Sequence, residues 1–244
     1  MAVVMVPGFL PSRSGLHFAN SFPHEALATI SIPGIATLEL GDAANGLCGG
    51  MASTVRDLFE SSVPPPPDTQ PPQPGTPRYR YLVQRQIDTL DPAVALRLYE
   101  LGLPATPDGA PDVGPLGGIA SALGGLGLPT LGRSQVMALE EWPAIRTELN
   151  AGRTCLVAMV RAIDTDPRSL AHDHQVLACG YELDGSALSI SVYDPNHPDD
   201  DTVRLELSLA DPTRPIAVSY TPNDGPVYCF IRMPYTHTDP APWR

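Results

Sequence analysis

From Thr154 onward the sequence is written in strands. Six short runs, at about 156–163, 174–181, 187–193, 202–209, 216–220 and 227–233, are rich in valine, isoleucine and tyrosine and bounded by Asp, Gly, Pro or Asn. No helical stretch alternates with them, so they predict a mainly antiparallel sheet. Ahead of them the apolar residues follow a helical period. Met51, Val55, Leu58 and Phe59 mark one face of a helix that starts near Cys48 and runs to about Ser62. Further helices are predicted over 79–90, over 93–101 with Asp91 and Pro92 as N-cap and first residue, and over 137–150. Pro143 should break the first half of the last of these, and Gly152 sits in a stop position. Helices first and strands second make an α+β chain. The 244 residues suit one domain: an extended segment over 1–45, with apolar pieces on either side of Pro33-Gly34, a helical half over 46–152, and an antiparallel sheet half over 153–236.

Two stretches interrupt the helical half. Residues 64–77 hold eight prolines and must form an irregular or polyproline-II excursion. A surface connection is the plain reading, and a ligand for a proline-motif reader is the functional one. Residues 104–132 hold eight glycines and no lysine, which excludes a phosphate-cradling P-loop. Either a flap over a site or a surface loop fits them.

The net charge of −12 argues against nucleic acid and anionic membrane surfaces as partners. No apolar run approaches the ~20 residues needed to cross a bilayer. Residues 1–10 are apolar but lack a basic start and are interrupted by proline, so they read as an extended segment packed on the domain. Cys48, Cys155, Cys179 and Cys229 are too few and too dispersed for a disulfide scaffold, and they lack zinc spacing. The last three fall in apolar strand-like runs, where reduced cysteine packs as a small hydrophobe. A reducing compartment follows: the cytoplasm, or export without a recognisable signal peptide.

Cys48 is different. It lies in Asn45-Gly46-Leu47-Cys48-Gly49-Gly50-Met51, where a polar loop turns into the first helix. Unpaired N–H groups and the positive end of the helix dipole favour an anion there, and the thiolate is the nucleophilic form of cysteine. Gly49 and Gly50 are poor helix formers, and their presence suggests that a substrate backbone comes close to the sulfur. Downstream, Asp184-Gly185 signals a tight two-residue turn. That turn pairs 183 with 186 and sets His174 opposite Pro195, flanked by Asp194 and Asn196. Neither partner lies on the histidine's face in this register, and one bulge or a three-residue loop would bring either of them onto it. Thiol, imidazole and an orienting Asp or Asn are the parts of a nucleophilic triad.

These residues resemble the papain-like cysteine peptidase superfamily. The segment His174-Gln-Val-Leu-Ala-Cys-Gly-Tyr181 is similar to the His-x-Val-x-x-x-Gly-Tyr strand of those enzymes. Val192-Tyr-Asp-Pro195 resembles the Asp-Pro ending of the bacteriocin-processing branch. The resemblance covers about 46–59 and 174–195. It implies a papain-like fold with Cys48 as nucleophile, His174 as base and Asp194, or alternatively Asn196, as the orienting residue. Such enzymes carry a glutamine as oxyanion donor about six residues before the cysteine, where this chain has Asp42; Asn45 and Asn20 are the candidate substitutes. The implied function is a thiol hydrolase acting on a peptide or other acyl substrate without a cofactor. A transglutaminase-like acyl transferase and an inactive binding module that kept the fold are the alternatives.

A metal reading attaches to the acidic stretch 194–201. Asp194, Asn196, Asp199 and Asp201 offer oxygen ligands for calcium, but the spacing is not that of an EF-hand, and a solvated turn is the simpler account. His172 and His174 share a face if extended, without an evident third ligand. Tyr79, Tyr81, Arg78, Arg80 and Arg85 form a small basic-aromatic patch, expected to pair with carboxylates as a helix face.

Overall fold

A computed structural model of the chain describes residues 1–23, 26–32, 36–42, 46–89, 91–111 and 131–244, with 26–32 and 36–42 as backbone only. The elements make the α+β class read from the sequence, but not its helices-first order, since three strands precede the main helices. β1 (Ala2–Met5) and a single turn α1 (Pro11–Ser14) precede a two-stranded antiparallel pair, β2 (Ala26–Ile32) and β3 (Ala36–Asp42). The helical half holds α2 (Cys48–Glu60), α3 (Pro77–Thr89), α4 (Pro92–Gly102) and α5 (133–150). The sheet half holds β4 (Cys155–Val160), β5 (His174–Asp184), β6 (Ala187–Tyr193), β7 (Arg204–Ser208), β8 (Ser219–Thr221) and β9 (Cys229–Arg232).

All pairings are antiparallel, in the order β8-β7-β6-β5-β4-β9. β5 is the central strand, buried from His174 to Tyr181. One of its edges meets β6 from Leu177 to Asp184. The other is shared, with β4 against 174–178 and β1 against 180–183. A single bulge at Cys179 marks the junction on both sides. Gly180 is required there, because a side chain would run into Met5 and the Val4 carbonyl.

The helices pack on this sheet through the apolar face expected of α2: Met51, Ala52, Val55 and Leu58 are fully buried. α2 lies against β4, β5 and α3. Asp91 caps α4 by accepting from the N–H groups of Ala93 and Val94 at 2.8 and 2.9 Å, with Pro92 at the first helical position. The carbonyl end of α4 is closed by the buried Arg133 guanidinium, which donates to the carbonyls of Leu101, Leu103 and Thr106, each at 2.7 Å. Pro143 does not break α5. The preceding stretch, Val136–Glu141, widens into a π-helical turn, which accommodates a residue that has no N–H and clashes with the carbonyl four positions back.

Two arginines of the basic-aromatic patch pair with carboxylates, Arg85 with Asp57 and Arg78 with Asp68, while Arg80 is exposed and donates to the Gly75 carbonyl. Arg85 and Asp57 form an ion pair at 2.7 Å, with the two side chains 4 % and 0 % exposed. Tyr81 and Tyr235 donate their hydroxyls to the same carboxylate at 2.9 and 2.8 Å, and the Thr238 N–H does so at 3.0 Å. Burial, followed by the charge of Asp57, raises both phenols well above their ordinary value. One carboxylate thus ties α2, α3 and the C-terminal segment together.

Residues 64–76 contain no helix or strand, and Arg78 reaches back to Asp68 at 2.8 Å. Most of the glycine-rich stretch, 112–130, lies outside the described residues. No described helix is long and apolar enough to cross a membrane.

Candidate active site

Cys48 is the first residue of α2, as the sequence implied. Leu47 before it supplies no side-chain cap, so the first turn is completed from elsewhere. The Leu47 N–H donates to Asn20 Oδ1 at 2.6 Å, and the Gly50 N–H to Gln86 Oε1 on α3 at 2.9 Å. The turn into the helix needs Gly46, whose φ of +91° few side chains adopt. Gly49 and Gly50 have a different reason from the one the sequence suggested. A Cβ at Gly50 would collide with the Leu82 carbonyl of α3, and one at Gly49 would lie 2.6 Å from the Gln175 amide. Gly50 is thus required by the packing of α3 on the start of α2, and Gly49 leaves room for the Gln175 amide.

His174 opens β5, and Asp194 is the first residue beyond β6. The hairpin between them turns at Gly185-Ser186, since Asp184 pairs with Ala187, one position later than predicted. Gly185 takes the positive φ of +58°. Continued unbroken, that register would leave Asp194 opposite Leu177 and off the histidine's face. The bulge at Cys179 shifts it: Leu177 pairs with Tyr193, which places Asp194 opposite Val176, on the side of His174. A bulge of this kind is what the sequence argument required.

The result is a hydrogen-bonded chain. His174 Nε2 lies 2.6 Å from Asp194 Oδ1, and this oxygen also accepts the Asn196 N–H at 2.7 Å. With Nε2 committed to Asp194, Nδ1 is the nitrogen left for Cys48, whose sulfur acts on the imidazole. The sulfur also receives the Gln175 N–H at 3.3 Å. Exposures are 7 % for Cys48, 5 % for His174 and 0 % for Asp194. Burial disfavours the imidazolium, but the hydrogen bonds and charges of Asp194 and Cys48 outweigh it and hold His174 above its ordinary value. The other three thiols lie buried in the sheet. Burial pushes Cys155 and Cys179 up to about 12 and raises Cys229 as well.

Asn196, the alternative third member, does not face the imidazole. Its backbone holds Asp194, and its side-chain oxygen accepts from Asn20 Nδ2 at 3.1 Å. Asn20 is therefore beside the cysteine loop, with its amide engaged at both ends. Asn45 and the side chain of Asp42 lie outside the described residues. The acidic stretch does not gather round a cation. Asp194 faces His174, Asp199 accepts from His17 at 2.6 Å, and Asp201 binds the N–H and hydroxyl of Ser12 at 2.8 and 2.7 Å. Among the described residues no cluster could hold a metal ion. His172 is exposed at the end of a 3-10 turn, Pro167–His172, while His174 is buried, so the two form no site.

Three contributors were not singled out in the sequence: Gln86, Thr89 and Gln175. Gln175 packs its amide on Gly49 and donates from Nε2 to Thr89 Oγ1 at 3.2 Å. A polar residue at the second position of an otherwise apolar strand was the signal available.

Asp173 adds a pH dependence next to the site. Burial raises it to about 7, against the opposing effect of the Arg161 and Ala162 backbone N–H groups and the Arg161 charge. The folded protein therefore keeps a proton that the unfolded chain releases near pH 4. Stability falls as pH rises from about 4 to 7, on the order of 2 kcal/mol, because the side chain is partly exposed and screened. Urea unfolding at pH 4.5 and 7.5 should show this loss reduced in Asp173→Asn relative to the parent.

No family model, curated protein or solved structure matches the chain. Its chemistry has to be read from the geometry.

Proposed function

We propose that the protein is a thiol-dependent acyl-transfer enzyme on a papain-like plan, with a peptide bond as its leading substrate. The observation that carries this reading is the convergence of Cys48, His174 and Asp194 from three elements, with His174 Nε2 at 2.6 Å from Asp194 Oδ1 and the Cys48 sulfur accepting the N–H of Gln175, next to His174, at 3.3 Å. A nucleophile at a helix start, against an antiparallel sheet that carries base and orienter, also fits the resemblance seen in the sequence.

The steps follow from the atoms. The Cys48 sulfur, its proton passed to His174, attacks the substrate carbonyl carbon. The oxyanion forms beside the first turn of α2, where the Cys48 N–H is a donor to hand. The imidazolium returns the proton to the departing amine, the C–N bond breaks, and a thioester remains. His174 then takes a proton from water, whose oxygen attacks the thioester and releases acid and thiol. An amine in place of water would give the transferase outcome. Asp194 fixes the ring orientation and stabilises the imidazolium throughout.

A panel of peptidyl acyloxymethyl ketones tests this, read by intact mass and peptide mapping. The expected result is one adduct, on Cys48, absent from His174→Ala. A panel that leaves Cys48 unmodified while iodoacetamide still reaches it would favour the second reading, a papain-like binding module without turnover. Two observations speak for that module: the thiol is only 7 % exposed, and both ends of the Asn20 amide are already bonded.

A further inference from the structure

The two loops that carry the reacting thiol and the orienting carboxylate come from distant parts of the chain, and a single side chain spans them. Asn20 Oδ1 accepts the Leu47 N–H at 2.6 Å, one residue before the nucleophile. Its Nδ2 donates to Asn196 Oδ1 at 3.1 Å, two residues after Asp194, and its own N–H donates to the Pro195 carbonyl at 2.9 Å. Asn196 in turn donates its N–H to the Asp194 oxygen that holds His174. Gly46 closes on the other side of the amide, so that any Cβ there would strike Asn20. The segment around Asn20 is itself anchored to the same acidic turn by Ser12 on Asp201 and His17 on Asp199.

Resting on the triad reading, we propose that Asn20 is a positioning residue: it locks the Leu47-Cys48 loop to the Asp194-Pro195-Asn196 turn and so sets the thiol against the imidazole. The chemistry demands this residue type. The site needs one acceptor, toward Leu47, and one donor, toward Asn196, within the reach of a single Cγ. Aspartate supplies the first and not the second, serine carries both on one short hydroxyl that cannot span two partners, alanine has neither, and glutamine is too long for the space beside Gly46. This differs from the oxyanion-donor role that the sequence offered for Asn20, and the two roles separate experimentally. Alkylation by iodoacetamide displaces iodide at a saturated carbon and forms no oxyanion, so it reports thiol–imidazole alignment alone.

The experiment is the pH 6.5 alkylation rate of Cys48 in the parent, Asn20→Ala, Asn20→Asp, Asn196→Ala and the Asn20→Ala/Asn196→Ala double variant. Circular dichroism selects the variants that fold. The positioning role predicts a loss of about tenfold for Asn20→Ala, the worth of one hydrogen bond, and a double variant no worse than that single one. Asn196→Ala, whose side chain is only partly buried, keeps the test open should Asn20→Ala not fold: it must lose several-fold by itself. An unchanged alkylation rate in both single variants, or losses that simply multiply in the double one, would overturn the proposal. Loss of peptidyl-ketone labelling with alkylation intact would assign Asn20 to the oxyanion instead and equally overturn it. If the parent takes no peptidyl probe but its alkylation rate still depends on Asn20, the enzyme reading has failed and the positioning role stands.

Discussion

Replacing His174 by alanine should lower the alkylation rate of Cys48 at pH 6.5 by about 10- to 100-fold, since a free thiol is only ~1 % ionised there and its thiolate is somewhat more nucleophilic than a paired one. Acyl transfer should fall further, by roughly 10²–10⁴, because the same ring must also protonate the leaving group. The Asp194 variants sort the third role. Asp194→Asn keeps an oxygen for the imidazole and for the Asn196 N–H, so it should retain most of the alkylation rate. Asp194→Ala frees the ring and leaves the Asn196 N–H without its acceptor, and should approach the His174→Ala level. Stopped-flow alkylation with mapping of the modified cysteine measures all three. Equal rates in the parent and His174→Ala would sink the triad. Cys155, Cys179 and Cys229 are internal standards, since burial raises all three.

Asp57→Ala should be the most damaging single change away from the triad. It leaves the Arg85 guanidinium, at 4 % exposure, with only the more exposed Asp88 as counter-ion and takes the acceptor from two phenols and the Thr238 N–H. Removing one partner of a buried pair costs about 3–5 kcal/mol, far more than the pair contributes over a well-packed apolar substitute. Urea denaturation should therefore show a large loss in Asp57→Ala and a partial recovery when Arg85→Leu is added. Two losses that simply add would mean that the ion pair is not what holds this region. Because Asp57 shares α2 with Cys48, thiol reactivity should be measured in Asp57→Ala below its unfolding midpoint, where the two effects separate.

The fold class was legible because hydrophobic period needs no tertiary information: 187–193 was read to the residue, and Asp91 and Pro92 took the cap positions expected of them. The candidate triad was legible for a topological reason. A short hairpin delivers whatever follows its second strand to the start of its first. What could not be read was the parity of that delivery. The turn sits one residue later than Asp-Gly suggested, and the bulge at Cys179 has no signature beyond an unremarkable Cys-Gly in an apolar strand. Gly49 and Gly50 misled for a similar reason, since their crowding comes from Leu82 and Gln175, which lie far away in sequence. The acidic stretch looked like a cation site because its partners, Ser12, His17 and His174, are scattered through the chain. Period reveals faces, and only packing reveals who sits opposite them.

The bulge at Cys179 makes the hairpin behave like an odd–even switch in the gene. The tip at Gly185-Ser186 is open, with nothing near the Gly185 Cα that a side chain would meet. Codons added there lengthen a loop and leave the alignment of the arms untouched. A single codon lost or gained between His174 and Asp184, or between Ala187 and Asp194, would instead turn the carboxylate to the far side of the sheet while every strand remained in place. The reading frame of this hairpin is thus under a constraint of count more than of composition: its arms tolerate exchanged letters better than a missing one.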